Sequence, residues 1–276
     1  MPNAKNSRIL KATMVISLLL FACQQENPGT AGVDVSVDAS GKYQDVVAEI
    51  ELMIRAEMET KRLPAVSISL VDDQEVVWAA GFGTENSQTG SPAAKETIYR
   101  VGSVSKLFTD LAIMKLVEEG LIDLDVPVST YIPGFLPLNE HGGEITLRQL
   151  MSHRSGLVRE PPVGHYFDDT EPSLAETVKS LNQTALIYAP EERIKYSNAA
   201  IAVVGYVLEV LRDRKFADEL KESVLIPLGM NGSSFAPDKE ITEHLADAYM
   251  WGFDRAPFPA PTFQLGMAPA GSMYSS

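Results

Sequence analysis

The residues best suited to covalent chemistry are a serine and a lysine at the start of an apolar segment. Ser103 and Lys106 are three residues apart, before a largely apolar run that ends at Gly120. In a helix, both side chains lie on one face of the first turn. The amine can then serve as a base for the hydroxyl, while helix-terminal N–H groups stabilise negative charge on a reacting oxygen. The spacing predicts a nucleophilic Ser103; the alternative is an N-cap serine followed by a solvated lysine.

A second candidate pair comes before another apolar segment, residues 199–211. Tyr196 and Asn198 flank Ser197 on what we expect to be a loop at a helix start. A phenol whose pKa is lowered by a nearby ammonium can act as a base, and an amide can orient the substrate or the lysine. The alternative is a tyrosine that packs on its loop and an asparagine that caps the helix.

The elements that would position these residues follow from local patterns. Residues 43–62 have a helical apolar period, residues 65–71 alternate as a strand does, and residues 75–80 are rich in β-forming residues. We therefore expect an amphipathic helix and an antiparallel hairpin that turns at 72–74 and is broken by the glycines at 81–83. The apolar positions assigned to the buried face of the first helix are Val46, Val47, Ile50, Met53, Ile54 and Met58.

The remaining pattern is mostly helical. The segment from Ser103 to Gly120 is apolar almost all round, so we expect a fully buried helix that a left-handed glycine ends. Capping boxes at Thr146 and Ser173 predict two short helices, and residues 199–211 and 216–225 predict two more. The sequence therefore indicates an α+β fold, in which an antiparallel sheet is flanked by helices and joined to a mostly helical subdomain.

The ordered motifs resemble those of serine β-lactamase-related hydrolases, the group of class C β-lactamases, D,D-peptidases and related esterases. Ser103 to Lys106 is similar to the first motif of that family and Tyr196 to Asn198 to the second, and the segments 145–157, 227–230 and 268–276 resemble further landmarks. The likeness covers residues 43–276, which we treat as one domain. It implies catalytic roles for Ser103, Lys106, Tyr196 and Asn198, and an acyl-enzyme formed with an amide, ester or lactam of a small-molecule or peptide substrate.

Two departures from the family pattern bear on activity. Glu191 follows Pro190 where the family usually has glycine. A third motif, Lys-Thr-Gly or His-x-Gly on a strand that lines the site, is not found after residue 276 because the sequence stops there. We therefore expect a partial sequence whose C-terminal sheet strands are missing, and the 276-residue form can lack activity for that reason. The alternative function is a non-catalytic domain that binds or senses penicillin or peptidoglycan.

The N-terminus has the features of an export signal. Three basic residues precede the apolar run 12–22, which ends at Cys23, the only cysteine of the chain. Residues 20–23 resemble a lipobox, which implies a signal peptide at 1–22, lipidation of Cys23 and a flexible tether at 23–42. No aspartate follows the cysteine, so the resemblance implies an anchor in a bacterial outer membrane that faces the periplasm.

Composition excludes other classes of function. The formal net charge is −14 and no basic cluster is present, so nucleic acid is not an expected partner. His141, His153, His165 and His244 lack metal-ligand spacing, so we interpret them as structural or surface residues and expect no metal or cofactor. Substrate choice and oligomeric state do not follow from the sequence.

Overall fold

The computed structural model describes residues 41–254 and 256–276. The predicted signal peptide at 1–22, Cys23 and the tether up to residue 40 lie outside the described residues. None of the helices within the described ranges combines the length and hydropathy that a membrane crossing requires.

Helices dominate the described part of the chain, and three small antiparallel sheets accompany them. The helices are α1 (Gln44–Lys61), α2 (Ser105–Glu118), α3 (Leu147–Met151), α4 (Leu174–Ser180), α5 (Asn198–Arg212), α6 (Phe216–Leu220), α7 (Lys239–Glu243) and α8 (Ala268–Gly271). The strands are β1 (Ala65–Asp72), β2 (Glu75–Asn86), β3 (Ser91–Pro92), β4 (Tyr99–Arg100), β5 (Tyr249–Trp251), β6 (Pro257–Pro259) and β7 (Tyr274–Ser275). The sheets pair β1 with β2 and β2 with β3, β4 with β7, and β5 with β6.

The first layer is the predicted helix and hairpin, which share a small core. Ile54 of α1 packs against a cluster that contains Trp78 and Phe82 of β2. Two of the six positions assigned to the buried face were wrong: Val46 is 47% exposed and Met53 is 60% exposed. The helical period is correct, but the hairpin covers a narrower stripe of α1 than the apolar residues could fill.

The predicted break at residues 81–83 was wrong, because β2 continues through them. Gly81 pairs with Ser67 and Gly83 pairs with Ala65. The glycines allow close backbone approach: a Cβ atom on Gly81 would lie 2.3 Å from the carbonyl oxygen of Ala93. A glycine within a strand often marks such an approach rather than the strand's end.

The prediction that α2 is buried on all sides was also wrong. Ile113 and Leu116 are fully buried, whereas Leu107 is 66% exposed and Met114 is 44% exposed. Among the described residues, α2 contacts α5, α6 and α8 on its inner side, and its opposite side stays open to solvent. Gly120 takes the predicted left-handed conformation, with φ of 73°.

The largest core surrounds α5. Ten of its fifteen residues are buried, and helices α2, α3, α4, α6 and α8 pack around it. Both predicted capping boxes are confirmed, since Thr146 and Ser173 each accept a hydrogen bond from the N3 backbone N–H of the helix that they start. The predicted helix 216–225 is α6, continued by a π-helical turn over Lys221–Leu225.

The short segment 268–275 joins the helical core to the sheet region. Strand β7 pairs with β4, and the Val101 N–H donates to the Met273 carbonyl at 2.9 Å. Helix α8 packs directly on Gly205 of α5, where a Cβ atom would lie 2.2 Å from Pro269 Cγ. The lack of a side chain on Gly205 therefore sets how closely α8 approaches α5.

We predict that Gly205→Ala destabilises the protein by about 1–3 kcal/mol, as overpacking of a core does. Alanine favours a helix interior over glycine by about 1 kcal/mol, so an unhindered site would show a gain instead. Urea unfolding of the wild type and the variant measures the difference in their free energies of unfolding. Gly232→Ala is the matched control, because a Cβ atom there meets nothing within 4 Å; equal effects of the two substitutions would contradict the packing argument.

Helix α2 also carries a partly buried carboxylate one turn after Lys106. Asp110 Oδ1 is buried and has no hydrogen-bond partner among the described residues. Burial raises the pKa of Asp110 to about 7, and the positive charge of Lys106 opposes that rise. The folded state therefore holds this proton more tightly than the unfolded state, whose aspartate has an ordinary pKa near 3.8.

We predict that Asp110→Asn removes a loss of stability that the wild type shows as the pH rises from about 4 to 7. Between the unfolded and folded pKa values the native state binds more protons, so the free energy of unfolding falls with pH. Thermal melts at pH 5 and pH 8 measure this change in stability, since each kcal/mol shifts the melting temperature by roughly 2–4 °C. Asp169→Asn, at an exposed position, is the control, and a wild type whose melting difference matches that of Asp110→Asn would refute the prediction.

Candidate active site

Ser103 lies on an exposed turn at the N-terminus of α2. It is the middle residue of a 3₁₀ turn, Gly102–Val104, that runs directly into the helix. Gly102 takes a φ of 55°, which lets the chain change direction between β4 and the turn. Ser105 holds this turn in place: its Oγ donates to the Gly102 carbonyl at 2.5 Å and accepts from the Met273 N–H at 3.0 Å.

Lys106 brings a buried amine to the nucleophile candidate. The residue is 8% exposed. Its Nζ atom donates to Ser103 Oγ at 3.1 Å and to the Ala270 carbonyl at 2.6 Å. The predicted serine–lysine contact is therefore present, and α8 supplies a second acceptor that the sequence pattern did not indicate.

Tyr196 completes a triangle with these two side chains. Its hydroxyl is 2.7 Å from Ser103 Oγ, and Lys106 Nζ lies 4.8 Å from its ring centroid. Burial alone would raise the pKa of the Tyr196 phenol, but hydrogen bonds from Lys106 and Ser103 and the charges of Lys106 and Arg159 outweigh burial and lower it. A tyrosine with a lowered pKa beside a serine hydroxyl has the properties of a general base.

Asn198 is almost completely buried and faces a carboxylate. Its Nδ2 atom donates to Glu160 Oε1 at 2.8 Å and Oε2 at 3.0 Å, while its Oδ1 atom has no partner among the described residues. In this structure the amide thus contacts Glu160 rather than Lys106. Ser197, not Asn198, caps α5, because Ser197 Oγ accepts the Ala200 N–H at 2.9 Å.

The segment that carries Glu160 is bound to the first turn of α5 through its backbone. The Arg159 carbonyl accepts the N–H groups of Asn198 at 2.8 Å and Ala199 at 3.1 Å. The Arg159 guanidinium lies 5.2 Å from the Tyr196 ring centroid and forms an ion pair with Glu160 at 3.1 Å. This segment therefore sets both a positive and a negative charge beside the second motif.

Tyr166 contributes another phenol close to this cluster. A Cβ atom on Gly271 would lie 2.9 Å from the Tyr166 hydroxyl, so that glycine leaves room for the ring. Burial raises the pKa of Tyr166, and negative charge on Glu160 and Tyr196 adds to the rise. Tyr166 is therefore a neutral hydrogen-bonding group at neutral pH.

His153 is the fourth residue of the site that sequence reasoning missed, after Arg159, Glu160 and Tyr166. Its ring centroid lies 4.6 Å from that of Tyr196, and its Nδ1 atom accepts the Ser197 N–H at 3.3 Å. Burial and the charge of Lys106 lower the pKa of His153. The spacing of the four histidines gives no sign of this position, whereas the resemblance of residues 145–157 to a family segment is a signal that could have placed His153 near the site.

The groups that converge on Ser103 Oγ are an amine and a phenol. Within residues 41–254 and 256–276, no three histidine, cysteine, aspartate or glutamate side chains come together in a way that could hold a metal ion. An amine and a phenol around a serine can accept the serine proton and can stabilise the negative charge that develops on an attacked carbonyl.

Comparison with known proteins places this geometry in context. The Beta-lactamase-like protein 2 of Dictyostelium discoideum is 31% identical over 243 residues, which cover 84% of this chain and 44% of that protein. The octameric penicillin-binding protein homologue of Pyrococcus abyssi is 32% identical, with a TM-score of 0.73, over 83% of this chain and 53% of that one. The chain thus spans about half the length of these relatives.

A structure of a class C β-lactamase variant is 18% identical, with a TM-score of 0.72, over 87% of this chain and 64% of that one. This likeness establishes the fold alone. The predicted α+β, β-lactamase/transpeptidase-like fold is confirmed. The profile of the Beta-lactamase family matches residues 50–276, and the chain therefore belongs to the Beta-lactamase family.

Proposed function

We propose that this protein is a serine hydrolase that forms an acyl-enzyme at Ser103 with an amide, ester or lactam carbonyl. The observation that carries the proposal is the triangle of Ser103 Oγ, Tyr196 Oη and Lys106 Nζ, with contacts of 2.7 Å and 3.1 Å at the serine oxygen. A nucleophile and a base within hydrogen-bond reach, and a third group that orients them, is the usual arrangement for covalent catalysis.

The reaction begins when Ser103 Oγ attacks the carbonyl carbon and its proton passes to the oxygen of Tyr196. Lys106 stabilises the phenolate that accepts this proton, because its ammonium lies beside the ring and is fixed by the Ala270 carbonyl. The carbonyl oxygen becomes an oxyanion, which the Ser103 N–H and the dipole of the α2 N-terminus stabilise.

The tetrahedral intermediate then collapses, and the bond from the carbonyl carbon to the leaving nitrogen or oxygen breaks. The leaving group takes the proton back from Tyr196, and an ester of Ser103 remains. Water cleaves that ester in a second step of the same form. We assign Asn198 to the orientation of Tyr196 rather than to substrate contact, since it is almost completely buried and Glu160 fixes its amide beside the second motif.

The second candidate function is penicillin binding without turnover. Its support is the 32% identity to a penicillin-binding protein homologue, together with the chemistry of a lactam ring, which would open on the same serine. The two functions share acylation and differ in deacylation. A hydrolase releases its acyl group and reacts again, whereas a binder stays acylated after one equivalent.

We predict that the full chain reacts covalently with a fluorescent penicillin or a fluorophosphonate, and that Ser103→Ala abolishes the reaction. Gel fluorescence and intact-protein mass spectrometry measure the adduct. Ser152→Ala is the control, because Ser152 is exposed and its hydroxyl donates to the Arg148 carbonyl one turn earlier. Labelling that persists in Ser103→Ala would remove the assigned nucleophile.

The same sample separates the two functions when it is given a p-nitrophenyl ester. A hydrolase shows continued release of nitrophenol that depends on Ser103. Release of one equivalent followed by a stop, with a stable adduct by mass spectrometry, would favour the binder over the hydrolase.

We predict that Tyr196→Phe slows acylation by about 10²–10⁴-fold, as the loss of a general base does. The wild-type acylation rate should rise with pH as the Tyr196 phenol loses its proton. The midpoint of that rise should lie below pH 10, because the pKa of Tyr196 is lowered from its ordinary value of 10. A phenyl ring at this position cannot accept a proton, so the rate of the variant should not show this rise with pH. Stopped-flow rates between pH 5 and 10 test this, with Tyr188→Phe as control; an unchanged rate and pH profile would assign the base to another group.

A further inference from the structure

His153 contacts three consecutive residues of the loop that carries Tyr196. Its carbonyl accepts the Lys195 N–H at 2.8 Å, its ring packs on the Tyr196 ring, and its Nδ1 atom accepts the Ser197 N–H at 3.3 Å. One residue thus binds the backbone on both sides of Tyr196 and also touches the ring. Removing the His153 side chain would remove two of these three contacts.

The backbone of His153 is held in a conformation that few residues adopt. Its φ is 60°, in the left-handed region, where histidine and asparagine are found more often than other non-glycine residues. This conformation directs the carbonyl and the ring toward the same loop. A non-glycine residue held in this way is a reason to look for a function.

The protonation state of the ring matters for these contacts. A neutral imidazole with its proton on Nε2 can accept the Ser197 N–H at Nδ1, whereas an imidazolium has two donors and no acceptor. Two cations lie near the ring and Tyr196: Lys106 of α2, and Arg159, which Glu160 pairs at 3.1 Å. The phenol of Tyr166 is also close to Tyr196. The neighbouring Arg154 and Glu191 form their own ion pair at 3.6 Å. Burial and the charge of Lys106 thus disfavour a positive charge on His153.

We propose that His153 is a positioning residue for the reaction at Ser103: its neutral imidazole holds Tyr196 against the nucleophile, and protonation of the ring releases Tyr196. The proposal rests on the proposed function, because it assigns His153 to the base of that reaction. It also predicts that the acylation rate falls at acidic pH, in addition to its dependence on the ionisation of Tyr196. Burial and Lys106 lower the pKa of His153 from 6.5, so the loss of activity occurs below that pH, as the folded protein takes up the proton.

The test compares two substitutions in the full chain. His153→Ala should slow the reaction with a fluorophosphonate by about 10- to 100-fold, since small misplacement of a catalytic group has effects of this size. His153→Asn should recover most of the rate, because asparagine tolerates the left-handed backbone and its Oδ1 atom can accept the Ser197 N–H. The asparagine does not titrate, so the decline below pH 6.5 should disappear in that variant.

The controls distinguish positioning from general stability. His141→Asn makes the same change on an exposed loop and should leave both the rate and the acid limb unchanged. Melting temperatures show whether each variant is folded. The proposal is overturned if His153→Ala reacts at the wild-type rate, or if folded His153→Asn is as slow as His153→Ala and keeps the acid limb.

A second measurement does not depend on acylation, so it separates this proposal from the proposed function. Nitrogen-15 chemical shifts of the imidazole report which ring nitrogen carries the proton. A bare Nδ1 on His153 at about pH 8 supports the proposal even where neither covalent probe reacts. A proton on Nδ1 at that pH overturns it even where labelling of Ser103 succeeds.

Discussion

A lysine amine that is 8% exposed must find its hydrogen-bond partners within the protein, because burying an unpaired charge has a high free-energy cost. Lys106 has two partners, Ser103 Oγ and the Ala270 carbonyl. The first comes from its own helix turn, and the second comes from a segment 164 residues later in the chain. Much of the architecture around the site can be understood as the support that keeps this second partner in place.

That support is made of several weak constraints that act together. Helix α8 is only four residues long, too short to be stable alone. It is held because Thr109 Oγ1 donates to the Pro269 carbonyl at 2.8 Å, Ser105 Oγ accepts the Met273 N–H, and β7 pairs with β4. The close contact with Gly205 adds a steric limit on the other side. Lys106 therefore depends on the packing of α2, α5 and the sheet at once.

Sequence patterns predicted the parts of this arrangement that are encoded locally. The capping boxes at Thr146 and Ser173, the left-handed Gly120 and the helical spacing of Ser103 and Lys106 each involve residues within one turn of each other. Contacts between residues far apart in the chain leave no comparable local pattern in the sequence. The glycines at 81–83 predict a strand break unless one knows that the backbone carbonyls of Ala93 and Pro64 approach them closely. Likewise, the composition of α2 predicts full burial, and the side that stays open to solvent is a property of the tertiary structure.

The same limit explains why half of the site was missed. Glu160 and His153 reach the second motif only because backbone hydrogen bonds join their segments to the loop before α5 and to its first turn. Once they are in place they change the chemistry of the predicted residues, since Glu160 fixes the Asn198 amide and His153 packs on Tyr196.

Local charge around the nucleophile differs from the charge of the whole protein. The chain has a formal net charge of −14, yet the charged groups nearest to Tyr196 are the cations Lys106 and Arg159, with Glu160 paired to the latter. A partly buried cation acts more strongly on a neighbouring phenol than exposed charges do, because solvent and salt screen it less. The lowering of the Tyr196 pKa is thus a property of a few close contacts and not of the overall field. The main contact is Lys106, which the Ala270 carbonyl fixes, so the acidity of Tyr196 is tied to the packing of α8 on α5. A change far from Ser103 can therefore alter the reaction without touching any reacting group.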